Sequence, residues 1–219
     1  MQRKILFVHG FGVMKDSRGM FTELADDFSA HDIEPILIDL NEKTNEGDIY
    51  VNTLSEQARI LTETYERECR DGSTVDIVGH SQGCVVIARA HMPTVRMTLF
   101  LAPPIENDPE KTINYFSRNP ESIVAMHNVS RFARRDGTST FVPAEYWEDR
   151  ARIDYEEVYR NYTASHETVV VVAGNDEVIS NERINSVFDS AKIVPLSADH
   201  NFTGIARQEL RSLVLNILK

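Results

Sequence analysis

Residues 75–90 read VDIVGHSQGCVVIARA. The run TVDIV at 74–78 is short, mostly apolar and β-branched, which predicts a buried strand. The run CVVIARA at 84–90 suits a buried helix, although periodicity alone leaves so short a segment ambiguous. Between them GHSQG sets one serine, Ser81, between Gly79 and Gly83, where strand would pass into helix. Two readings compete. Either a strand-to-helix turn needs glycine for its geometry and holds serine by accident, or the turn exists to present the serine.

Working outward, five further apolar runs resemble the first, at residues 4–8, 34–38, 95–101, 168–173 and 191–196. They are almost continuously hydrophobic rather than alternating, which predicts strands covered on both faces. Helical spacing links Met20, Phe21, Leu24, Ala25 and Phe28 within 17–30, and Leu54, Ala58, Leu61 and Tyr65 within 51–70. Residues 205–218 carry a broad apolar stripe that includes Ile205, Leu210, Val214 and Leu218. Core packing accounts for each of these stripes. Alternating strand and helix predicts a parallel sheet with right-handed crossovers. In such sheets function collects beyond the carboxyl ends of the strands.

One interval breaks the rhythm. About sixty residues, 103–166, separate the fourth predicted strand from the fifth, far more than one crossover needs. Five prolines (103, 104, 109, 120 and 143) punctuate it, and RDGT at 135–138 predicts a hairpin turn between 129–134 and 138–142. It is rich in aromatic residues, among them Tyr115, Phe116, Phe132, Tyr146, Trp147 and Tyr155. We read it as a cap inserted over the active edge of the sheet, although these aromatics would serve equally as a small core of the insertion's own.

The length of 219 residues fits a single domain, 1–219, and 42% hydrophobic with 26% charged residues is an ordinary globular balance. A formal charge of −11 argues against a nucleic-acid partner, since phosphate binding needs clustered Lys and Arg. The densest basic cluster, Arg131, Arg134 and Arg135, is too short for such a footprint; Arg134 and Arg135 could grip a carboxylate, and a solvated turn is the simpler reading of that pair. Two cysteines, Cys69 and Cys84, make no disulfide framework and suggest no metal site. The apolar run near the N-terminus is too short for a signal peptide, and no stretch approaches transmembrane length, so a cytoplasmic protein without a membrane span is expected. Oligomeric state is not legible.

Four polar features fall at the predicted strand ends. They are HGFG at 9–12, GHSQG at 79–83, GNDE at 174–177 and ADHNF at 198–202. A serine, an acid and a histidine thus follow in the order Ser81, Asp176, His200. The chemistry explains the set: a serine hydroxyl is a poor nucleophile without an adjacent base and a site for the oxyanion. His200 would take the Ser81 proton and return it to the leaving group, and Asp176 would fix the imidazole tautomer. The backbone N–H groups of Phe11 and Gln82 would face the oxyanion. Glu177 and Asp199 lie beside the acid and base positions and compete for the acid's role.

At this point the sequence resembles the α/β-hydrolase family. GHSQG matches the nucleophile elbow, with Gly79, His80 and Gly83 supporting it, and HGFG matches the oxyanion loop, with His9, Gly10 and Gly12 supporting that. GNDEVI looks like the acid turn and DHNF like the histidine loop. The resemblance implies an α/β fold, a three-layer sandwich around a mostly parallel six-stranded sheet of order 2-1-3-4-5-6, in which the first two strands of the standard eight are missing. It implies hydrolysis of an acyl bond through an acyl-enzyme intermediate, a carboxylic ester first, with no cofactor and no metal. A thioester, amide or peptide bond, acyl transfer to an alcohol, or a non-catalytic binding protein that retains the fold are the other readings. The aromatic interval favours a small, uncharged and partly apolar acyl substrate. Of the remaining histidines, His9 is expected to hold its loop and His80 to orient the turn. His127 is a possible substrate contact, and His31, His91 and His166 are ordinary surface or helix-end residues.

Overall fold

The apolar run before HGFG forms β1 (Arg3–Val8) in the computed structural model, which describes residues 2–219. Then follow α1 (Met20–Ser29), β2 (Glu34–Ile38), β3 (Glu42–Lys43), β4 (Ile49–Tyr50) and α2 (Leu54–Cys69). The strand and helix around the serine are β5 (Thr74–His80) and α3 (Gln82–Arg89), with β6 (Thr98–Leu101) next. The long interval holds α4 (Pro109–Phe116), β7 (Ser130–Ala133), β8 (Ser139–Val142), α5 (Ala144–Ala151) and α6 (Tyr155–Thr163). The chain ends with β9 (Thr168–Ala173), α7 (Ile184–Val187), β10 (Lys192–Leu196) and α8 (Ile205–Leu218).

Six strands form one sheet in the order β2-β1-β5-β6-β9-β10, every neighbouring pair parallel. Counted among the six, this is the expected 2-1-3-4-5-6. The near-continuous hydrophobicity of the strands has a direct cause. In β1, Leu6 and Val8 join the core on one face while Ile5 and Phe7 join the core on the other, and Val170 and Val172 divide from Val169 and Val171 in β9 in the same way. Helices α2, α3 and α6 cover the first face, and α1 and α8 the second, so the molecule is a three-layer sandwich. Each fully buried Val, Leu, Ile or Phe contributes roughly 1.5–3 kcal/mol, so these two layers dominate the fold's stability. The prolines of the sheet, Pro35 and Pro195, stand in β2 and β10, the two edge strands, where a missing N–H is tolerated.

Boundaries differ where local geometry intervenes. The first predicted helix, 17–30, begins only at Met20, because Ser17, Arg18 and Gly19 all take positive φ, at 45°, 56° and 85°. Helix α2 starts at Leu54 because Thr53 caps it, its hydroxyl accepting from the Glu56 amide at 3.1 Å. The fourth strand is shorter than 95–101, although Arg96 already donates to the Val75 carbonyl at 2.9 Å.

The predicted hairpin forms as β7 and β8, closed by Gly137 at φ 84°. It does not stand alone. Strands β3 and β4 add to it, giving a second sheet of order β3-β4-β8-β7 in which β4 and β8 run parallel. The interval 103–166 also divides. Tyr159 and Tyr162 of α6 pack on Phe100 of β6, with ring centroids 5.4 and 5.7 Å apart, so this helix lies in the layer against the main sheet. Among the described residues no helix is long and apolar enough to cross a membrane.

Candidate active site

The turn at Ser81 is built by what flanks it. Ser81 has φ 52° and ψ −125°, a conformation that side-chain-bearing residues rarely adopt, and its amide is anchored on the Leu101 carbonyl at 2.9 Å. Gly83 permits the geometry: a Cβ there would lie 2.1 Å from the Val8 carbonyl oxygen of β1. At Gly79 a Cβ would meet Ile87 at 2.5 Å and the Cys84 nitrogen at 3.0 Å. Neither glycine has positive φ, so both are required for close approach of helix α3 to strands β1 and β5. These distances account for the two glycines; what the serine between them meets bears on the other half of the question.

Three chain segments meet at the serine. The Ser81 hydroxyl lies 2.9 Å from His200 Nε2, and His200 Nδ1 lies 2.7 Å from Asp176 Oδ2. The other Asp176 oxygen accepts from the amides of Val178 and Ile179 at 2.8 and 3.0 Å, which fixes the carboxylate on the turn after β9. The Asp176 side chain is fully buried, with Nδ1–H of His200 as the donor that suits it. The competing acids point elsewhere. Glu177 accepts from the His200 backbone amide at 3.2 Å, and Asp199 caps its own turn by accepting from the amide and hydroxyl of Thr203.

His80 and His9 hold the surroundings. His80 Nε2 lies 2.9 Å from the His200 carbonyl oxygen, so this nitrogen carries the proton and donates. Burial, and then the nearby His200 ring, push the His80 pKa down to about 3, so the ring is neutral. His9 donates from Nδ1 to the Gly10 carbonyl at 2.9 Å and accepts the Leu40 amide at Nε2 at 3.0 Å. Burial lowers its pKa as well. The ring therefore ties the HGFG loop to the segment after β2. Gly10 presses that loop against the serine, since a Cβ there would stand 3.2 Å from Ser81 Cβ. Gly12 takes φ 62°, and its carbonyl accepts from Arg134 at 3.0 Å. Arg134 is thus not a free residue of a solvated turn, as its place beside RDGT suggested; it clamps the hairpin to the loop. Arg135 is exposed, and His127 is exposed and does not line the cleft.

Ser81 and His200 open into a cleft whose far wall is Ile105, Lys111, Tyr115, Phe116, Arg150 and Tyr155. The Phe11 ring closes one side and gathers Phe116, Tyr146 and Trp147 at centroid distances of 4.9, 5.4 and 6.3 Å. Below the elbow runs a buried polar chain that sequence reasoning missed. Tyr146 donates to Gln82 Oε1, Gln82 Nε2 to Gln57 Oε1 at 3.0 Å, Gln57 to Asn41 at 3.3 Å, and Asn41 to the Val13 carbonyl at 3.0 Å. The signal was present: Gln57 is a polar residue on the buried face that Leu54, Ala58 and Leu61 define. Among the described residues no cluster of three or more His, Cys, Asp or Glu side chains is placed to hold a metal ion.

A serine hydroxyl, an imidazole and a carboxylate in one hydrogen-bonded line can move a proton off the serine and back. Comparison with known proteins bears on the fold that carries them. The family model described as "Alpha/beta hydrolase family" matches residues 5–203. No curated protein sequence matches significantly. Among solved structures, Est1E from Butyrivibrio proteoclasticus with ferulic acid bound is 17% identical, with TM-score 0.71 over 99% of this chain and 90% of that one. DcsB in complex with its substrate analogue is 13% identical, with TM-score 0.73 over 98% and 89%. Polyneuridine aldehyde esterase is 14% identical, with TM-score 0.65 over the full length of both chains.

Proposed function

The chain belongs to the alpha/beta hydrolase family, and from that premise we propose that it is a serine hydrolase cleaving an acyl bond, a carboxylic ester first, with Ser81, His200 and Asp176 as its triad. The observation that carries this is the unbroken line from Ser81 through His200 to Asp176, at 2.9 and 2.7 Å, set on a strained turn at the mouth of a cleft. Ser81 Oγ attacks the ester carbonyl carbon while His200 Nε2 takes its proton. Asp176 keeps the imidazole turned and stabilises the imidazolium that forms. The carbonyl oxygen becomes an oxyanion facing the amides of Phe11 and Gln82, donors worth on the order of 3 kcal/mol of barrier each. Collapse expels the alkoxide, which takes the proton from His200 and leaves the acyl group on Ser81. Water then repeats the sequence and frees the acid.

The chain is read as one domain, and the part of 103–166 that covers the site runs up to the first residue of α6, since Ile105, Tyr115 and Tyr155 line the cleft whereas Tyr159 and Tyr162, further along α6, pack on the sheet. An aromatic acyl group suits that lining, and the ferulic acid held by Est1E supports a ligand of that size. The test is intact-mass labelling with a fluorophosphonate, together with hydrolysis of 4-nitrophenyl esters of graded chain length. A single adduct on the native protein, absent from Ser81→Ala, is the expected result. A folded native protein that takes no label and cleaves no ester overturns the proposal.

A further inference from the structure

The cleft wall contains a cation that the proposed chemistry does not use. Arg150, in the last turn of α5, is 5% exposed yet lines the cleft that Ser81 opens into. Buried arginines are ordinarily paired, because stripping a guanidinium of water without a counter-charge costs several kcal/mol. Among the described residues no carboxylate oxygen lies within ion-pair distance of Arg150. The groups around it are all neutral: the Asn107 amide oxygen at 2.8 Å, the Thr112 hydroxyl at 2.9 Å and the Asp108 main-chain carbonyl at 3.1 Å, with the Tyr146 and Tyr155 hydroxyls beside the guanidinium as well. None of these groups carries the negative charge that a guanidinium ordinarily meets when buried.

The neighbouring acids are already engaged. Asp108 turns its carboxylate to the Lys111 amide at 3.1 Å as the cap of α4, and Glu106 is held by the Lys111 ammonium at 2.6 Å. The faces of Trp147 and Tyr155 lie 6.0 Å from the guanidinium carbon and frame it with apolar surface. The result is a desolvated, oriented positive charge in the wall of the substrate cleft with no counter-charge of its own, and a carboxylate that displaced one of its neutral partners would supply both the charge and a paired hydrogen bond.

Resting on the reading of Ser81 as nucleophile, we propose that the substrate is an ester carrying a carboxylate, in place of the wholly uncharged one that the aromatic residues alone suggest, and that Arg150 is the specificity-determining residue that binds it. A purely structural Arg150, clamping the start of α4 to α5, is the competing account.

Two ester pairs separate them. Monomethyl terephthalate against methyl 4-carbamoylbenzoate places the carboxylate on the acyl side, and 4-acetoxybenzoate against 4-acetoxybenzamide places it on the leaving group. In the native protein the carboxylate member of at least one pair is expected to show a kcat/KM at least tenfold higher, through KM. In Arg150→Gln that ratio falls tenfold or more, and Arg150→Lys, a point charge without the fork, lies between. A clamp would change both members of a pair alike. A native ratio at or below one in both pairs, or a ratio unchanged in both variants, overturns the inference; if Arg150→Gln does not fold, the native protein and Arg150→Lys decide.

Fluorophosphonate labelling of the same samples keeps the two proposals apart. Labelling without carboxylate preference sinks the Arg150 role and leaves the hydrolase reading standing. Without labelling, calorimetric binding of benzoate against benzamide to the native protein and Arg150→Lys decides the Arg150 role by itself. Preference for benzoate that weakens in the variant supports it, and equal binding overturns it.

Discussion

At φ 52° and ψ −125°, Ser81 occupies backbone space that glycine enters freely and any residue with a Cβ enters at a cost of about 1–3 kcal/mol. Both Ser81→Ala and Ser81→Gly lose the hydroxyl and its bond to His200, so the difference between them isolates the strain. Glycine gives back roughly 0.5–1 kcal/mol through its greater freedom when unfolded. Ser81→Gly is therefore expected to be more stable than Ser81→Ala by about 1 kcal/mol, a Tm difference of about 2–4 °C for a chain of this size. Neither variant takes the fluorophosphonate label. Equal melting temperatures for the two would show that the turn stores no strain. The same residue shows what was legible in sequence. Glycine at 79 and 83 pointed to a tight turn, but which of Asp176, Glu177 and Asp199 serves His200 depends on side-chain directions that spacing does not encode.

The elements were legible in proportion to their burial. The six strands of the main sheet announced themselves because residues facing both layers are apolar, as Ile5 to Val8 are. Strands β3 and β4 are two residues long, and Glu42, Lys43 and Tyr50 are exposed, so they left no pattern in the sequence. The buried chain from Tyr146 to Asn41 was illegible because it joins α5, α3, α2 and the segment after β2, four parts of the sequence with no shared periodicity. Its energetics are nevertheless clear. Gln57→Leu would leave the Gln82 amide donor and the Asn52 carbonyl short of a partner, while the Asn41 oxygen keeps the Asn52 amide at 3.3 Å, and each buried orphan costs about 1–3 kcal/mol. The expected loss is about 2–4 kcal/mol in urea unfolding. On the proposed mechanism ester turnover should fall in kcat more than it rises in KM, because the amide proposed to face the oxyanion belongs to Gln82, the residue whose side chain loosens. A variant as stable and as active as the native protein would show the chain to be dispensable.

For the whole molecule, the two buried neutral histidines set a pH limit. His80 bonds His200 across 120 residues of sequence, and its pKa is driven down to about 3 by burial and by His200, while burial lowers that of His9 too. In the unfolded chain both titrate near their ordinary value of 6.5. Between that value and the folded one the unfolded chain binds more protons, so the stabilisation is complete above about pH 6.5 and is lost as pH falls. At one proton the slope is about 1.4 kcal/mol per pH unit, so His80 alone removes on the order of 2 kcal/mol by pH 5. The acids Asp71, Asp136 and Asp199 have values depressed from 3.8, so their contribution is lost mainly below that range and leaves the window from pH 6.5 to 5 to the histidines. His80→Gln keeps an N–H at the position of Nε2 for the His200 carbonyl but cannot take up a proton. The native protein is expected to lose several degrees of Tm between pH 7 and pH 5, and His80→Gln to lose visibly less over the same interval. Parallel Tm curves for the two proteins would mean that His80 titrates alike folded and unfolded, and the buried neutral ring would have to be abandoned as the anchor of the histidine loop.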